Sequence, residues 1–420
     1  MVGALQDQTG MDAVDAPGLR LQVFAFHFPP SNASGAARPA RLVRYLPEHG
    51  IQCRVTAHGE AGAAGWPGVS YVNPADARGW WRVGLALARA LQRVAPYNEQ
   101  LPWLAAALQY AFAAQRAAPA DAVFSTYPPL AAHLAGLLFH LRFGVPWIAD
   151  FRDPLACNPF RNRRWARGYD LWIERKIVKH AAAILVTNDS AAEILRVRHP
   201  AAAARVHVLW NGFDPGEPPV VPAPALAPRR LVHAGSLYGP RRPCGLLRAL
   251  ALLEREGRVD ATRWKVEFIG PHEPDTFAEC RAELELLQAA GMVEIRAGLR
   301  PKSELEQAMR QASLLLLLDL TGDERSVQVP AKLFEYVRSG LPIVAWSPAG
   351  SPTRMVLQRA GVPSMVFGPG QPAEDVAARL AAWLDNPPAP ASPSPWFLET
   401  FDGARQAAWL AGLLRARARL

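Results

Sequence analysis

Val329-Pro-Ala-Lys-Leu-Phe-Glu-Tyr-Val-Arg-Ser-Gly-Leu-Pro-Ile-Val-Ala-Trp346 reads as a helix, a stop and a buried strand in quick succession. Pro330 suits the first helical turn, where a missing N–H has no intrahelical partner to lose. Gly340 and Pro342 then end the helix. Lys332 and Glu335, three apart, share one helical face. A lysine beside the positive end of a helix dipole is a seat for phosphate. The same two residues also read as an exposed ion pair. A helix that feeds a short apolar strand is half of an α/β repeat, and the flanking sequence repeats it on both sides.

The chain has 420 residues, 50% hydrophobic and 20% charged, which is globular and long enough for two to three domains. Its apolar runs fall short of the roughly 20 residues that cross a bilayer, and the N-terminus is polar and acidic. A cytoplasmic protein without a signal peptide is expected. Cys53, Cys157, Cys244 and Cys280 are scattered, with no C-x-x-C pair, and read as incidental thiols rather than a disulfide framework or zinc site. The formal charge of +9 asks for an anionic partner. No nucleic-acid motif accompanies it, so no nucleic-acid partner is expected; an anionic membrane face and a nucleotide-diphosphate substrate both answer the charge.

Residues 1–18 lack periodicity and read as a loose tail. Residues 19–28 form a first strand, followed by the small-residue loop Ser31-Asn-Ala-Ser-Gly-Ala-Ala37, a helix over 38–49 and a strand over 51–57. This is the βαβ opening of a nucleotide-binding sheet. Gly35 is a point of close backbone approach to a ligand or a plain tight turn. Trp80-Trp81-Arg82 starts two amphipathic helices split by Pro96 and Pro102. They read as helices covering the sheet, and a peripheral membrane contact is the second reading. Strands over 122–125 and 147–149 follow, the latter running into Asp150-Phe-Arg-Asp-Pro154. Ligands of parallel open sheets collect at strand carboxyl ends, so two carboxylates bracketing an arginine sit where a site is expected, or they form a structural ion network.

Prolines at 215, 218, 219, 222, 224 and 228 mark a stiff linker. The pattern then restarts: strand over 231–234, loop Gly235-Ser-Leu-Tyr-Gly-Pro-Arg-Arg-Pro243, helix over 245–256 and strand over 265–269. Gly235 allows close ligand approach, and Arg241 and Arg242 supply charge for phosphate. Ser303 and Glu306 read as a capping box, residues 314–318 as a strand, 373–385 as a helix and 396–420 as one terminal amphipathic helix. The expected layout is a tail (1–18), a first Rossmann-like domain (19–214), a linker (215–230), a second Rossmann-like domain (231–386), and a terminal segment (387–420) that packs back on the first domain.

Phe26-His-Phe-Pro-Pro30, Ser125-Thr-Tyr-Pro-Pro129, Ala149-Asp-Phe-Arg-Asp-Pro154, Trp210-Asn-Gly-Phe-Asp214, Gly235-Ser-Leu-Tyr238 and Pro330-Ala-Lys-Leu-Phe-Glu335 occur in that order. Together they resemble the family-4 retaining glycosyltransferases of GT-B fold, notably the branch of bacterial surface-polysaccharide assembly, over residues 20–385. The resemblance implies an α/β fold of two Rossmann-like parallel-sheet domains facing each other across a cleft. It implies transfer from a nucleotide-diphosphate sugar to a hydroxyl of a glycan or lipid-linked saccharide, with retention and with no cofactor or metal. By the same resemblance Arg241 and Lys332 contact the donor diphosphate, with Arg242 as a substitute. Glu335 holds the ribose, Gly35 and Gly235 approach the donor, and Asp153 with Arg152 sits near the reacting sugar.

Three positions depart from the family's pattern. Val327 stands where a glutamate contacts the transferred sugar, leaving Asp323 or Glu324 as substitutes; Ser236 stands in place of an arginine; Arg152 stands in place of a histidine. A catalytically silent glycan- or nucleotide-binding protein of the same fold is therefore an alternative, and a sugar-nucleotide epimerase is another.

Overall fold

A computed structural model describes residues 18–31, 33, 35–60, 66–156, 158, 161, 163–224, 226–320 and 327–418. Of the expected tail over 1–18 all but Gly18 lies outside them, as do Asp323 and Glu324. The first sheet contains β1 (Leu19–Phe24), β2 (Ile51–His58), β3 (Val69–Val72), β4 (Ala122–Tyr127), β5 (Trp147–Phe151), β6 (Ala183–Val186) and β7 (Val206–Val208). Its order is β3-β2-β1-β4-β5-β6-β7, all parallel. The second contains β8 (Arg229–Ala234), β9 (Trp264–Ile269), β10 (Val293–Arg296), β11 (Leu314–Leu318), β12 (Ile343–Trp346) and β13 (Ser364–Phe367). It repeats the scheme as β10-β9-β8-β11-β12-β13, again parallel. Strands covered on both faces need no polar alternation, which is why β4 and the five leucines of β11 are buried throughout.

Helices α1 (Ala37–Tyr45), α2 (Trp81–Val94), α3 (Trp103–Ala117), α4 (Leu130–Phe143), α5 (Arg167–His180) and α6 (Asp189–Arg198) accompany the first sheet. One face is covered by α3 to α6; α2 lies outside, against α3. The second sheet carries α7 (Cys244–Arg255), α8 (Arg281–Ala289), α9 (Lys302–Arg310), α10 (Lys332–Ser339), α11 (Pro352–Arg359) and α12 (Ala373–Asp385). The chain end forms α13 (Pro395–Thr400) and α14 (Gly403–Ala418) rather than one helix. The break has a local cause: the Phe401 carbonyl accepts from Phe213 N at 3.0 Å, and Asp402 Oδ1 accepts from Ala404 N at 2.7 Å, restarting the helix. α14 crosses to α1, burying Ala407, Leu410, Ala411 and Leu414 against the first sheet.

Other expectations are corrected. Cys244 and Cys280 form a disulfide, with Cα atoms 5.3 Å apart, because α7 and the turn before α8 pack together. No C-x-x-C spacing announces a bond across 36 residues. Pro301 precedes α9 and Ser303 lies inside it, so no capping box forms. Pro330 lies just before α10, its carbonyl accepting from Leu333 N at 3.1 Å.

Candidate functional site

Both sheets reverse their strand order beside their first strand, between β1 and β4 and between β8 and β11. Loops at the carboxyl ends of these strands are the ligand positions of open α/β sheets. They converge here on a cavity of about 400 Å³. Arg38, Arg41, Arg152 and Asp153 line it from the first sheet's side, and Tyr238, Arg241, Gln328 and Phe334 from the second's.

The first wall rests on a buried ion pair. Arg38 Nη2 and Nε contact the two oxygens of Asp150 at 2.7 and 3.0 Å, and Thr126 Oγ1 donates to Asp150 Oδ2 at 2.8 Å. Of the two carboxylates that bracket Arg152, Asp150 is thus structural. Arg152 donates to the Tyr127 and Pro128 carbonyls at 3.1 and 2.5 Å and lies against Gly35, where a Cβ would stand 2.4 Å from its Nη1. A side chain at position 35 would displace that guanidinium from its place. Burial lowers the Arg152 pKa against the opposing pull of Asp153. Burial pushes the Asp153 carboxyl above the ordinary carboxylate range, with Arg152, a hydrogen bond from Gln328 and Arg241 pulling the other way. Arg41 is buried with its Nη1 on the Gly212 carbonyl at 2.9 Å and its Nε without a partner. Burial, with Arg38 nearby, brings its pKa down to about 10.

On the second side, β8 ends at Ala234 and the chain turns at Gly235, against which the Lys332 side chain is laid. A Cβ on Gly235 would stand 2.1 Å from Lys332 Cε, so only glycine leaves the lysine its place. Burial lowers the Lys332 pKa, which Glu335 partly offsets. Lys332 and Glu335 do not form the exposed ion pair that their spacing allows: among the described residues no carboxylate lies within 4.0 Å of the lysine. Glu335 itself is exposed on α10. Arg241 is buried on the cavity wall, its guanidinium 4.5 Å from the Tyr238 ring and its Nε unpartnered. Of the expected donor contacts only Arg241 lines the cavity; Gly35, Gly235, Lys332 and Glu335 lie outside its lining, and two more are turned elsewhere. Arg242 turns away to Asp275 Oδ2 at 2.7 Å, and Ser236 is exposed outside the lining.

The segment before α10 crosses between the halves. Gln328 Nε2 donates to Asp153 Oδ1 at 3.0 Å, and Asn188 Nδ2 donates to the Val327 carbonyl at 2.5 Å. The Val327 side chain is buried in the first sheet's core, in a socket with Phe151, Val186, Ala191 and Leu195. The valine acts here as an apolar plug, and a carboxylate in its place would be buried. Arg38, Arg41, Tyr238 and Gln328 were not singled out from the sequence. The three-residue spacing of Arg38 and Arg41 on the helix after the Gly35 loop was the available signal.

Residues 14–212 match the family model of a glycosyl transferase 4-like domain. No curated protein matches the chain. Among solved structures, the lipopolysaccharide outer core galactosyltransferase WaaB in its apo form is 14% identical, covers 95% of this chain and 99% of its own, and superposes with a TM-score of 0.60. Anabaena HepE in complex with UDP and glucose is 14% identical, with 96% and 97% covered and a TM-score of 0.56. The catalytic domain of starch synthase IV from Arabidopsis thaliana, bound to ADP and acarbose, is 10% identical, with 96% and 100% covered and a TM-score of 0.60. At these identities the likeness is one of fold, and it extends over both sheets. Residues 14–212 are thus similar to a glycosyl transferase 4-like domain, and the two sheets together have the GT-B fold of these structures.

Proposed function

We propose that the protein transfers a glycosyl group from a nucleoside-diphosphate sugar to a hydroxyl of a glycan or lipid-linked saccharide, with retention of anomeric configuration and without a metal. The observation that carries this reading is the pair Lys332 and Arg241. Arg241 is buried in the loop after β8 and Lys332 is half-buried at the start of α10, and neither has a carboxylate partner among the described residues. Burying unpaired charge is costly, so such a pair points to an anion supplied by a ligand. A diphosphate fits, and in the reaction the bond from the anomeric carbon to its phosphate oxygen breaks while the bond to the acceptor oxygen forms. The acceptor's proton passes to the departing phosphate, whose developing charge Lys332, Arg241 and the start of α10 stabilise. Asp153, opposite, orients the acceptor hydroxyl. Bacterial polysaccharide assembly is the proposed setting.

A panel of nucleotide sugars tests this, read by nucleotide release and by thermal shift, with and without EDTA. Stabilisation by a nucleoside diphosphate that disappears in Lys332→Ala, together with EDTA-insensitive release, is expected. No stabilisation by any nucleotide would refute the donor site. Binding without release in the presence of glycan and lipid-linked acceptors would instead establish the catalytically silent reading, for which Val327 and Ser236 are the motive.

A further inference from the structure

The helices on the outer face of the first sheet expose a surface that glycosyl transfer does not use. Trp80, just before α2, and Val83, Leu87, Leu91 and Val94 on it recur every three or four residues and share one face, each between 49% and 74% exposed. The opposite, inward stripe of Leu85 and Ala88 already packs on α3. The apolar arc of α2 is thus wider than its neighbour covers. Trp165 is 69% exposed on a segment tied to the end of α2: Arg163 N donates to Tyr97 Oη at 3.3 Å, and Arg163 Nη1 to the Pro96 carbonyl at 2.5 Å. Monomers seldom leave apolar rows of this size to water.

Charge identifies what covers it. Helices α2, α3 and α4 contain no aspartate or glutamate. The two acids of α5 are both buried in ion pairs, Asp170 with Arg161 at 2.5 Å and Glu174 with Arg198 at 2.7 Å. The outward positions of α5 are left to Arg175, Lys176 and Lys179 around the exposed Trp172, with Lys176 5.9 Å from its ring. Helices α2 to α5 pack in succession, so apolar and cationic rows belong to one layer that shows no carboxylate. A second copy of the same layer would set cation against cation. We propose that this layer docks on an anionic lipid bilayer, the apolar row of α2 entering the interface and the arginines and lysines meeting the headgroups. This inference needs no donor or acceptor. In one respect it rests on the proposed function: Tyr97 and Arg161, beside the α2 end, line the cavity, which brings its first-sheet wall to the membrane and favours a lipid-linked acceptor.

The test is flotation of the full chain with phosphatidylcholine vesicles, with and without phosphatidylglycerol. Binding is expected only with the anionic lipid and is expected to fall with salt. Leu87→Gln with Leu91→Gln should weaken it at least about tenfold, and Arg175→Glu, Lys176→Glu and Lys179→Glu together about 100-fold or more. All five positions are exposed, and circular dichroism and a nucleotide thermal shift confirm folding apart from vesicles. A folded wild-type protein that stays off anionic vesicles overturns the proposal. So does a wild-type dimer that the leucine variant converts to monomer without any vesicle binding, which would give the face to a second copy.

Discussion

Gln328, just ahead of α10 on the second sheet's side, donates from Nε2 to Asp153 Oδ1 at 3.0 Å, so one half of the protein holds the carboxylate of the other. A hydrogen bond to an ionised group contributes about 1.5–3 kcal/mol. If Asp153 orients the acceptor, Gln328→Ala should lower kcat about 10- to 100-fold on that scale, with the donor KM little changed. That hydrogen bond also pulls the Asp153 pKa down against burial, so its loss moves the acid limb of the pH–rate profile to higher pH. Steady-state kinetics across pH read both; an unchanged rate and limb would show the contact to be idle.

Gly235→Ala separates stability from binding. The added Cβ meets only the far end of the Lys332 side chain, which can swing aside, so the melting temperature should hardly move. The ammonium then leaves its seat, and nucleoside-diphosphate affinity should fall about tenfold or more, the scale of one charged hydrogen bond. Isothermal titration beside a thermal melt checks the split. Full affinity in the variant would remove Lys332 from the donor site.

Lys332 also sets a pH signature. Burial lowers its pKa from 10.5, and a neutral lysine no longer attracts phosphate. Affinity tracks the protonated fraction in the free protein, so it should decline as pH rises through a value below 10.5. In Lys332→Arg that alkaline decline should vanish, because arginine stays charged. The same alkaline decline in both proteins would assign it to another group.

Val327→Glu restores the family's residue type and should not restore a family contact. Its carboxylate would enter the apolar socket of Phe151, Val186 and Leu195, costing about 2 kcal/mol. Arg152 and Arg198 at the socket edge are already engaged, by the Tyr127 and Pro128 carbonyls and by Glu174. Burial raises such a carboxyl pKa, so the loss is present above that pKa and eases as pH falls through it and the group is neutralised. Urea unfolding at two pH values reads this. Unchanged stability with raised kcat would show that position 327 faces the donor.

The fold was legible because each half repeats a local grammar. The apolar run at 314–318, the glycine stop at Gly340 and the cap at Asn188, whose Oδ1 accepts from Ala191 N at 2.9 Å, are settled by neighbours in sequence. Strands β3, β10 and β13 were missed. Each is four residues long, at or near a sheet edge, with too few apolar positions for a periodic signal. The Cys244–Cys280 bond was misread because spacing alone carries no distance in space.

Local chemistry determined which residue types could meet a phosphate: Arg241, Arg242 and Lys332 all qualified as cations near glycine loops. Only packing decided among them, sending Arg242 to Asp275, burying Arg241 on the cavity wall and laying Lys332 on Gly235. Likewise Asp150 and Asp153 are equivalent in sequence, yet Arg38, 112 residues earlier, claims the first and Gln328, 175 residues later, reaches the second. The reason is physical. Helix, strand and turn preferences are fixed over a few residues, whereas a charge's partner, burial and pKa depend on what the folded chain brings within a few ångströms from far away.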